Sequence, residues 1–511
     1  MTTSTMPITN DPAALREQVR SLTAGQLYID GVWREASDGA RVPTIDPSTE
    51  NAVTTVASGT PADTDAAVDA ARRAFDEGGW GAMNPIERGR IIARIGELMA
   101  DFAEDLAIRE TIDVGKPITP TRAFDVPQAA VLFGYYGALA GELDGASRPG
   151  SGASMAYTRR EPLGVVGAIT PFNFPLNLAV NKIAPALAAG NTVVHKPALQ
   201  TSLSALLLPD IFAEAGLPAG VYNLVTGEGA VVGDRLVAGP GVDKIAFTGS
   251  TGVGIRTQTA AAAGLKRVTL ELGGKNALIV LADAVRGPDA DLDRLVETIF
   301  QAAFFNCGQF CMGCSRLIVE RGVHDELVEA LVARIGRARV GDPFDAATQV
   351  GPLAHQAQFD KVRQYVDISR REGARVQCGG EPLTVAATGG RGYFHELTLL
   401  TGVTPAMRVA QEEIFGPVLS VLRADDADHA VRIANAVPYG LSAGVATTDL
   451  TRAHLIAHRL QAGMVWVNTW AEFTARTPFG GYKKSGYGRE LGPEGIDEYL
   501  QTKTVYLHLG A

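Results

Sequence analysis

The chain has 511 residues, 46% of them hydrophobic and 20% charged, with a formal net charge of −10. Its length exceeds what one hydrophobic core organises, so two or three domains are expected, and the composition excludes a disordered chain. The acidic excess leaves no basic footprint for nucleic acid or anionic lipid.

The opening MTTSTMPITNDPAALREQVRS lacks the basic start and apolar stretch of a secretory signal. No run of about eighteen apolar residues suggests a membrane span. Four cysteines are too few for a disulfide framework, and three of them, Cys307, Cys311 and Cys314, fall within eight residues. A reducing cytoplasm is the expected compartment, since a thiol stays available there. No fixed-period repeat is present, which removes solenoids and propellers.

From about residue 163, short apolar runs alternate with helix-like stretches. GVVGAIT, NTVVHK, VYNLVTG, KIAFTG and RVTLEL read as buried strands, with helical NKIAPALAAG, SALLLPDIFAEAG, VGDRLVAG and GIRTQTAAAAG between them. Gly190, Gly216 and Gly239 stand where helices should stop. This alternation predicts a parallel sheet with helical crossovers, an architecture that binds ligands beyond the carboxyl ends of its strands. Residues 291–306 carry a helical stripe of Leu292, Leu295, Val296, Ile299, Phe300 and Ala303, which should fail near Gly308. Cys311 then falls just past a helix end, before the strand-like SRLIVERG. Further on, PVLSVLRA, SAGVATTD and GMVWVNT read as strands separated by helical DHAVRIANA and TRAHLIAHRL, a second α/β domain. The apolar, alternating tail KTVYLHL reads as a strand that joins another sheet, in its own chain or in a partner subunit.

Several local features carry candidate chemistry, and each also has a plain structural explanation. GSTGVG, residues 249–254, follows a strand and opens a helix, so its N–H groups could hold a pyrophosphate. Its spacing is not the G-x-G-x-x-G fingerprint, and glycine-rich turns are common for purely structural reasons. Glu271 shares RVTLEL with Val268, Leu270 and Leu272, which face the other way; a solvated or ion-paired strand glutamate is the ordinary expectation. Gly273 and Gly274 beside it leave room for a buried carboxylate of raised pKa acting as a general base. In TPFNFPLN, residues 170–177, two prolines fix a loop at a strand's carboxyl end, where Asn173 can reach a site; a rigid turn explains the prolines equally well. The cysteine cluster has three readings. Cys307 and Cys314 suit inert core positions. The C-x3-C-x2-C spacing matches an iron–sulfur motif, but Gly313 stands where that motif has an aromatic residue, and the triplet follows a helix rather than an early barrel strand. A single activated thiolate is the third reading, and spacing alone leaves a Cys-His hydrolase open as well.

Taken together, TPFNFP, VVHKP, FTGSTGVG, LELGGK, FFNCGQFC, EEIFGPV and PFGGYKKSGYGRELG resemble the aldehyde dehydrogenase superfamily in order and spacing, over residues 27–505. The resemblance implies an α/β fold of the aldehyde dehydrogenase type. A Rossmann-type NAD(P)-binding domain would span residues 1–140 and 163–275, and an α/β catalytic domain residues 276–485. A small β oligomerisation element would use residues 141–162 and 486–511, in a homodimer or homotetramer. It also implies that Cys311, in G-Q-x-C, is the nucleophile, that Asn173 stabilises the oxyanion with the Cys311 backbone N–H, and that Glu271 is the general base. Glu490, in GREL, matches a secondary proton-relay glutamate. For the cofactor the resemblance implies Lys196 at the adenine ribose, Gly249 and Ser250 at the pyrophosphate, Glu413 with Phe415 at the nicotinamide ribose, and Ile169, Gly229, Gly254 and Leu272 as further contacts. No metal is implied.

The implied reaction oxidises an aldehyde through a thiohemiacetal and a thioester on Cys311. The presence of Glu271 favours hydrolysis to the free acid over transfer to coenzyme A. A catalytically silent relative would have lost Cys311 or Glu271, and both are present. Two departures stand out. Leu199 occupies a position where NAD-specific relatives carry a glutamate, so NADP stays open beside NAD, and Gly252 replaces a common glutamate. Phe174, Phe305, Phe310, Met312, Trp470, Phe473 and Phe479 occupy positions resembling the family's substrate tunnel and favour an apolar aldehyde, aromatic or medium-chain aliphatic. Glu472 and Arg476 in the same loop suit an amino- or carboxy-aldehyde instead.

Overall fold

The structure is a computed structural model that describes residues 8–20 and 22–508. Five short strands, Val165–Ile169, Thr192–Lys196, Tyr222–Leu224, Lys244–Thr248 and Arg267–Glu271, form the parallel centre of an eight-stranded sheet. Their registers align the carboxyl ends: Ile169 lies opposite Lys196 and Phe247, and Thr248 opposite Glu271. Residues alternate between two apolar layers, with Val165, Val194, Ile245 and Phe247 on one side and Val166, Ala168, Val193 and Ala246 on the other. Both faces are thus dry, as a parallel sheet under helices requires. The first sheet is closed by antiparallel strands, Leu27–Ile29 and Val32–Arg34 at one edge and Gly486–Tyr487 at the other.

The helices between these strands fall where the glycines predict. Gly190 and Gly216 take positive φ of 94° and 90° just past their helices, whereas Gly239 ends its helix in an extended conformation. SALLLPDIFAEAG is not one helix. It splits into a 3-10 turn, Ala205–Leu207, and an α-helix, Leu208–Glu214, because Pro209 is accepted only in a helix's first turn.

A second, seven-stranded sheet follows directly: Asn276–Val280 begins it five residues after Glu271 and pairs in parallel with Cys314–Glu320 and Ser442–Ala446. The tail strand, Leu500–His508, pairs antiparallel with Ser154–Pro162 of the same chain in a three-stranded arm. Gly486 and Tyr487 lie outside this arm, since they pair with Glu271 and Leu270. Gly486 has φ 117°, and a Cβ there would meet the Leu270 carbonyl at 1.9 Å, so only glycine permits that pairing.

Between the sheets runs the segment that carries Cys311. The amphipathic helix Leu292–Phe304 ends as its apolar stripe predicts, and the chain then turns through three successive left-handed residues, Asn306 (φ 51°), Cys307 (φ 56°) and Gly308 (φ 70°). For the two non-glycine residues this conformation costs roughly 1–3 kcal/mol each, so surrounding contacts must hold it. Asn306 Nδ2 donates to the carbonyls of Asn173 (2.9 Å) and Gln309 (3.2 Å). The buried Gln309 amide donates back to Asn306 O (3.2 Å) and accepts from Ala354 N (2.9 Å). A Cβ on Gly308 would lie 2.2 Å from the Gly416 carbonyl. Gly308→Ala is therefore expected to cost more than about 2 kcal/mol by combining strain with overlap. Thermal unfolding checks this, and a midpoint equal to that of the unsubstituted chain would show that the loop relaxes freely.

Candidate active site

The aligned strand ends and the segment around Cys311 enclose a cavity of about 460 Å³. Asn173 and Cys311 line it, as do Ile169, Lys196, Gly229, Gly249, Ser250, Leu272, Glu413 and Phe415. Gly254 does not. It sits inside the helix Thr251–Ala262, where a Cβ would meet the Leu272 side chain at 2.5 Å, so its smallness serves helix–sheet packing. Ser250 is the N-cap of that helix, yet its hydroxyl caps nothing, and the first-turn N–H groups remain available at the cavity. Lys196, on a strand end, is buried, and among the described residues its ammonium has no hydrogen-bond or ion-pair partner. Burial pulls its ammonium down to about 8, with Glu228 opposing the shift. An orphan helix start and an unpaired buried cation in one cavity fit the phosphates and ribose of a dinucleotide.

Cys311 is half-buried. Burial pushes its thiol well up, and the carboxylates of Glu271 and Glu413 add to the shift, while the Met312 backbone N–H opposes it. Its backbone is clamped by Asn276, which opens the second sheet. Asn276 Nδ2 donates to Cys311 O (2.7 Å) and Gly313 O (2.9 Å), and its Oδ1 accepts from Ser442 N (3.1 Å). Asn173 Nδ2 donates to Gln309 O at 3.0 Å. A side-chain amide has two N–H bonds, so one remains for the cavity.

Glu271 is neither solvated nor ion-paired. It is 5% exposed, and both carboxylate oxygens lack a hydrogen-bond partner. Burial, followed by the charge of Glu490, holds its carboxyl well above the ordinary range, with Lys182 pulling the other way. It is absent from the cavity lining. Lys182 pairs with Glu490 and donates to Thr248 Oγ1 at 2.6 Å, while Asn181 Nδ2 donates to Glu490 Oε2 at 3.1 Å. Glu413 accepts from Gly274 N at 3.0 Å. Cys307 and Cys314 are buried beneath the loop with thiols pushed up by burial, in the latter to about 12, and all four cysteines are free.

On the other side of the Cys311 segment lies a second cavity of about 550 Å³, lined by Phe305, Phe310, Trp470 and Phe473. Three expected lining residues have other work. Phe174 is buried against Phe305 and Phe310, with ring centroids 6.1 and 5.4 Å away. Met312 is buried and offers only its carbonyl, which accepts from Trp470 Nε1 at 3.0 Å. Phe479 bridges through its backbone to Glu490, fixing that carboxylate rather than a tunnel wall. Glu472 accepts from Thr469 Oγ1 at 2.6 Å, and neither it nor Arg476 reaches the lining. The charged residues there are Arg294 and Glu297, with Glu297 tied to Arg334 at 2.6 Å. Phe124 also lines it, from a helix far back in the chain where no pattern announced it. Asn276, Asn306 and Gln309 were likewise unmarked, although each adjoins or lies within a segment that carries the resemblance.

The Aldehyde dehydrogenase family profile matches residues 33–505. Solved structures agree along the whole chain. A putative aldehyde dehydrogenase from Burkholderia cenocepacia is 43% identical, with 96% of this chain and 98% of that one covered and a TM-score of 0.92. An indole-3-acetaldehyde dehydrogenase variant of P. syringae, in complex with NAD+ and IAA, is 39% identical, with 98% and 100% covered and a TM-score of 0.94. A betaine aldehyde dehydrogenase from Staphylococcus aureus, in complex with NAD+, is 34% identical, with 97% and 96% covered and a TM-score of 0.93. With Lys196, an uncapped helix start and Cys311 lining one cavity at the strand ends, the chain belongs to the aldehyde dehydrogenase family and is an NAD(P)-dependent enzyme.

Proposed function

We propose that the chain oxidises an apolar, aromatic aldehyde to its carboxylic acid, with Cys311 as nucleophile and Glu271 as the base of the hydrolytic step. The observation that carries this reading is that Cys311 lines one cavity while the adjoining Phe310 lines another. One has dinucleotide-binding features and the other an aromatic lining, and the hydrogen-bond-free carboxyl of Glu271 lies close enough to shift the thiol.

Attack of the Cys311 sulfur, as the thiolate, on the aldehyde carbon forms a thiohemiacetal whose oxygen takes up the charge. The free N–H of Asn173 and the Cys311 backbone N–H are the donors for that charge, and such donors are worth roughly 3–4 kcal/mol each in a dry site. NAD(P), when bound, supplies the hydride acceptor that lets this adduct become a thioester. Lys196, Gly249, Ser250 and Glu413, with Ile169, Gly229, Leu272 and Phe415 around them, would hold it. Glu271 then takes a proton from water as the water attacks the thioester carbon, and the carbon–sulfur bond breaks to release the acid and the Cys311 thiolate. A carboxyl raised by burial is a stronger base than an ordinary one, which suits the task. Glu490, paired with Lys182 and electrostatically linked to Glu271, receives the proton onward.

Cofactor choice follows from Leu199. Its side chain packs into the core while Ala198 and Gln200 line the cavity, so no carboxylate repels a 2′-phosphate there. NAD is the favoured cofactor, since solved relatives hold it, and NADP is accommodated. Each well-buried apolar group of the substrate would gain roughly 1.5–3 kcal/mol in the aromatic cavity. A second reading, an aldehyde with a carboxylate tail, is supported by exposed Arg294 at that cavity, whose guanidinium has no ion-pair partner among the described residues. The chain is proposed to work in a reducing cytoplasm, since all four of its thiols are free. It is proposed to assemble through its arm as a dimer or tetramer, supported by the exposed Tyr506 and Leu507. Among the described residues, no helix is long and apolar enough to cross a membrane.

An aldehyde panel with both cofactors, followed by the absorbance of reduced nicotinamide, should give the highest kcat/KM to aromatic members. Preference for carboxylate-tailed aldehydes would select the second reading, and no turnover by any aldehyde would remove both. Cys311→Ala should abolish turnover, whereas Cys307→Ala and Cys314→Ala should keep it; equal loss in all three would unseat Cys311. For Glu271 the sign is fixed by its raised pKa. The carboxyl is protonated at low pH and gains basicity only as pH climbs through that raised value, so the steady-state rate should climb with it. Glu271→Gln should leave a single burst of reduced nicotinamide and remove the rising limb, and a retained limb would place the base elsewhere.

A further inference from the structure

Behind the loop that bears Asn173 lies a set of buried charges that the chemistry above does not use. Glu110, on the helix Ala103–Val114, is fully buried, as are Lys116 and Asp125. Lys116 Nζ donates to both oxygens of Asp125, at 2.9 and 2.8 Å. Asp125 Oδ1 also accepts from Asn177 Nδ2 at 3.0 Å. Glu110 Oε1 accepts from Leu176 N at 3.0 Å and from Ser204 Oγ at 2.5 Å.

These bonds converge on the first turn of one helix, Pro175–Ala188. Its N-cap is Phe174, whose side chain cannot accept a hydrogen bond, so the opening N–H groups need an acceptor from elsewhere. Glu110 supplies it from a different helix, and its charge meets the positive end of the helix dipole. Asp125 ties down the next residue, Asn177. On the other flank, Lys116 Nζ stands 3.8 Å from the centroid of the Phe174 ring, which leans forward onto Phe305 and Phe310. Phe174 is thus wedged between a buried cation behind and the aromatic cavity ahead. Asn173 immediately precedes it, with its carbonyl held by Asn306 and its amide on Gln309. A buried ion pair is often no more stabilising than an apolar replacement of the same shape, so stability alone is a weak reason for this set.

Resting on the acyl chemistry assigned to Cys311, we propose that Lys116, Asp125 and Glu110 are positioning residues. They hold Asn173 against the Cys311 segment from behind and touch neither substrate nor cofactor. The donor is then braced on two sides, by the charged set at the helix start and by Asn306 and Gln309 at the thiol. Loosening the rear brace lets the Asn173 amide drift. Displacements of the order of 1 Å in such groups slow the chemical step by roughly tenfold to a hundredfold.

The test is a stopped-flow burst of reduced nicotinamide, using the full chain, saturating NAD and the best aromatic aldehyde of the panel. Lys116→Met and Glu110→Met should lower the burst rate constant by about tenfold or more. The NAD Kd, read from quenching of protein fluorescence, should stay within about twofold. Lys116→Arg and Glu110→Gln, which keep a cation and an acceptor in place, should recover most of the rate. If the methionine variants do not fold, Asn177→Ala decides, since it only unties Asp125 from the helix start; its burst should slow at least about threefold. A purely structural set would lower the unfolding midpoint and leave the burst rate of the folded fraction unchanged, which would overturn the proposal. No reduced nicotinamide from the wild-type chain with any aldehyde would overturn the acyl reading and this one with it. A wild-type burst shared by every variant would overturn this one alone.

Discussion

A single asparagine joins the two halves of the site. Asn276 opens the second sheet, and its side chain holds the carbonyls of Cys311 and Gly313 while accepting from Ser442. With Asn306 and Gln309 it satisfies a segment whose left-handed backbone would otherwise relax. The place of Cys311 in the cavity lining therefore depends on side-chain amides rather than on regular secondary structure. Three of the amides at this centre, those of Asn173, Asn306 and Gln309, bond to one another's backbones, so the proposed oxyanion donor and the proposed nucleophile share one network.

Around that neutral centre the protein keeps charge out of water at some cost. Glu271 has no hydrogen-bond partner, and Lys182 with Glu490 and Lys116 with Asp125 form buried pairs on different sides. Isolated buried charges are expensive, so burial holds Glu271 and Glu110 above the ordinary carboxyl range, Glu110 at about 7 with Lys116 opposing. A raised carboxyl suits the base proposed at Glu271, and an anchored one is what a helix start needs from Glu110. The same physics serves the two roles through different neighbours.

Much of this was legible in the chain. The five parallel strands, the helix over residues 292–304 and its failure before Cys311, and the second run of strands follow from apolar periodicity and glycine placement. The family follows from seven segments in order. The burial of Glu271 did not follow, because alternation along Arg267–Glu271 suggests an outward face, and only the covering layer makes that face dry. Gly254, Met312 and Phe479 resemble site residues by position yet pack elsewhere, since a motif position does not say which way a side chain turns.

The sequence by itself determined the periodicities, the breaks and the residue types at the motif positions, because these are local properties of neighbouring side chains. It thereby determined the fold class and the family. Only the tertiary structure decided that Phe124 faces the same cavity as Trp470, that Asn276 grips Cys311, and that Glu110 and Lys116 stand behind Asn173. Those contacts join residues tens to hundreds of positions apart, and their geometry is set by how helices and sheets pack, which no local pattern encodes.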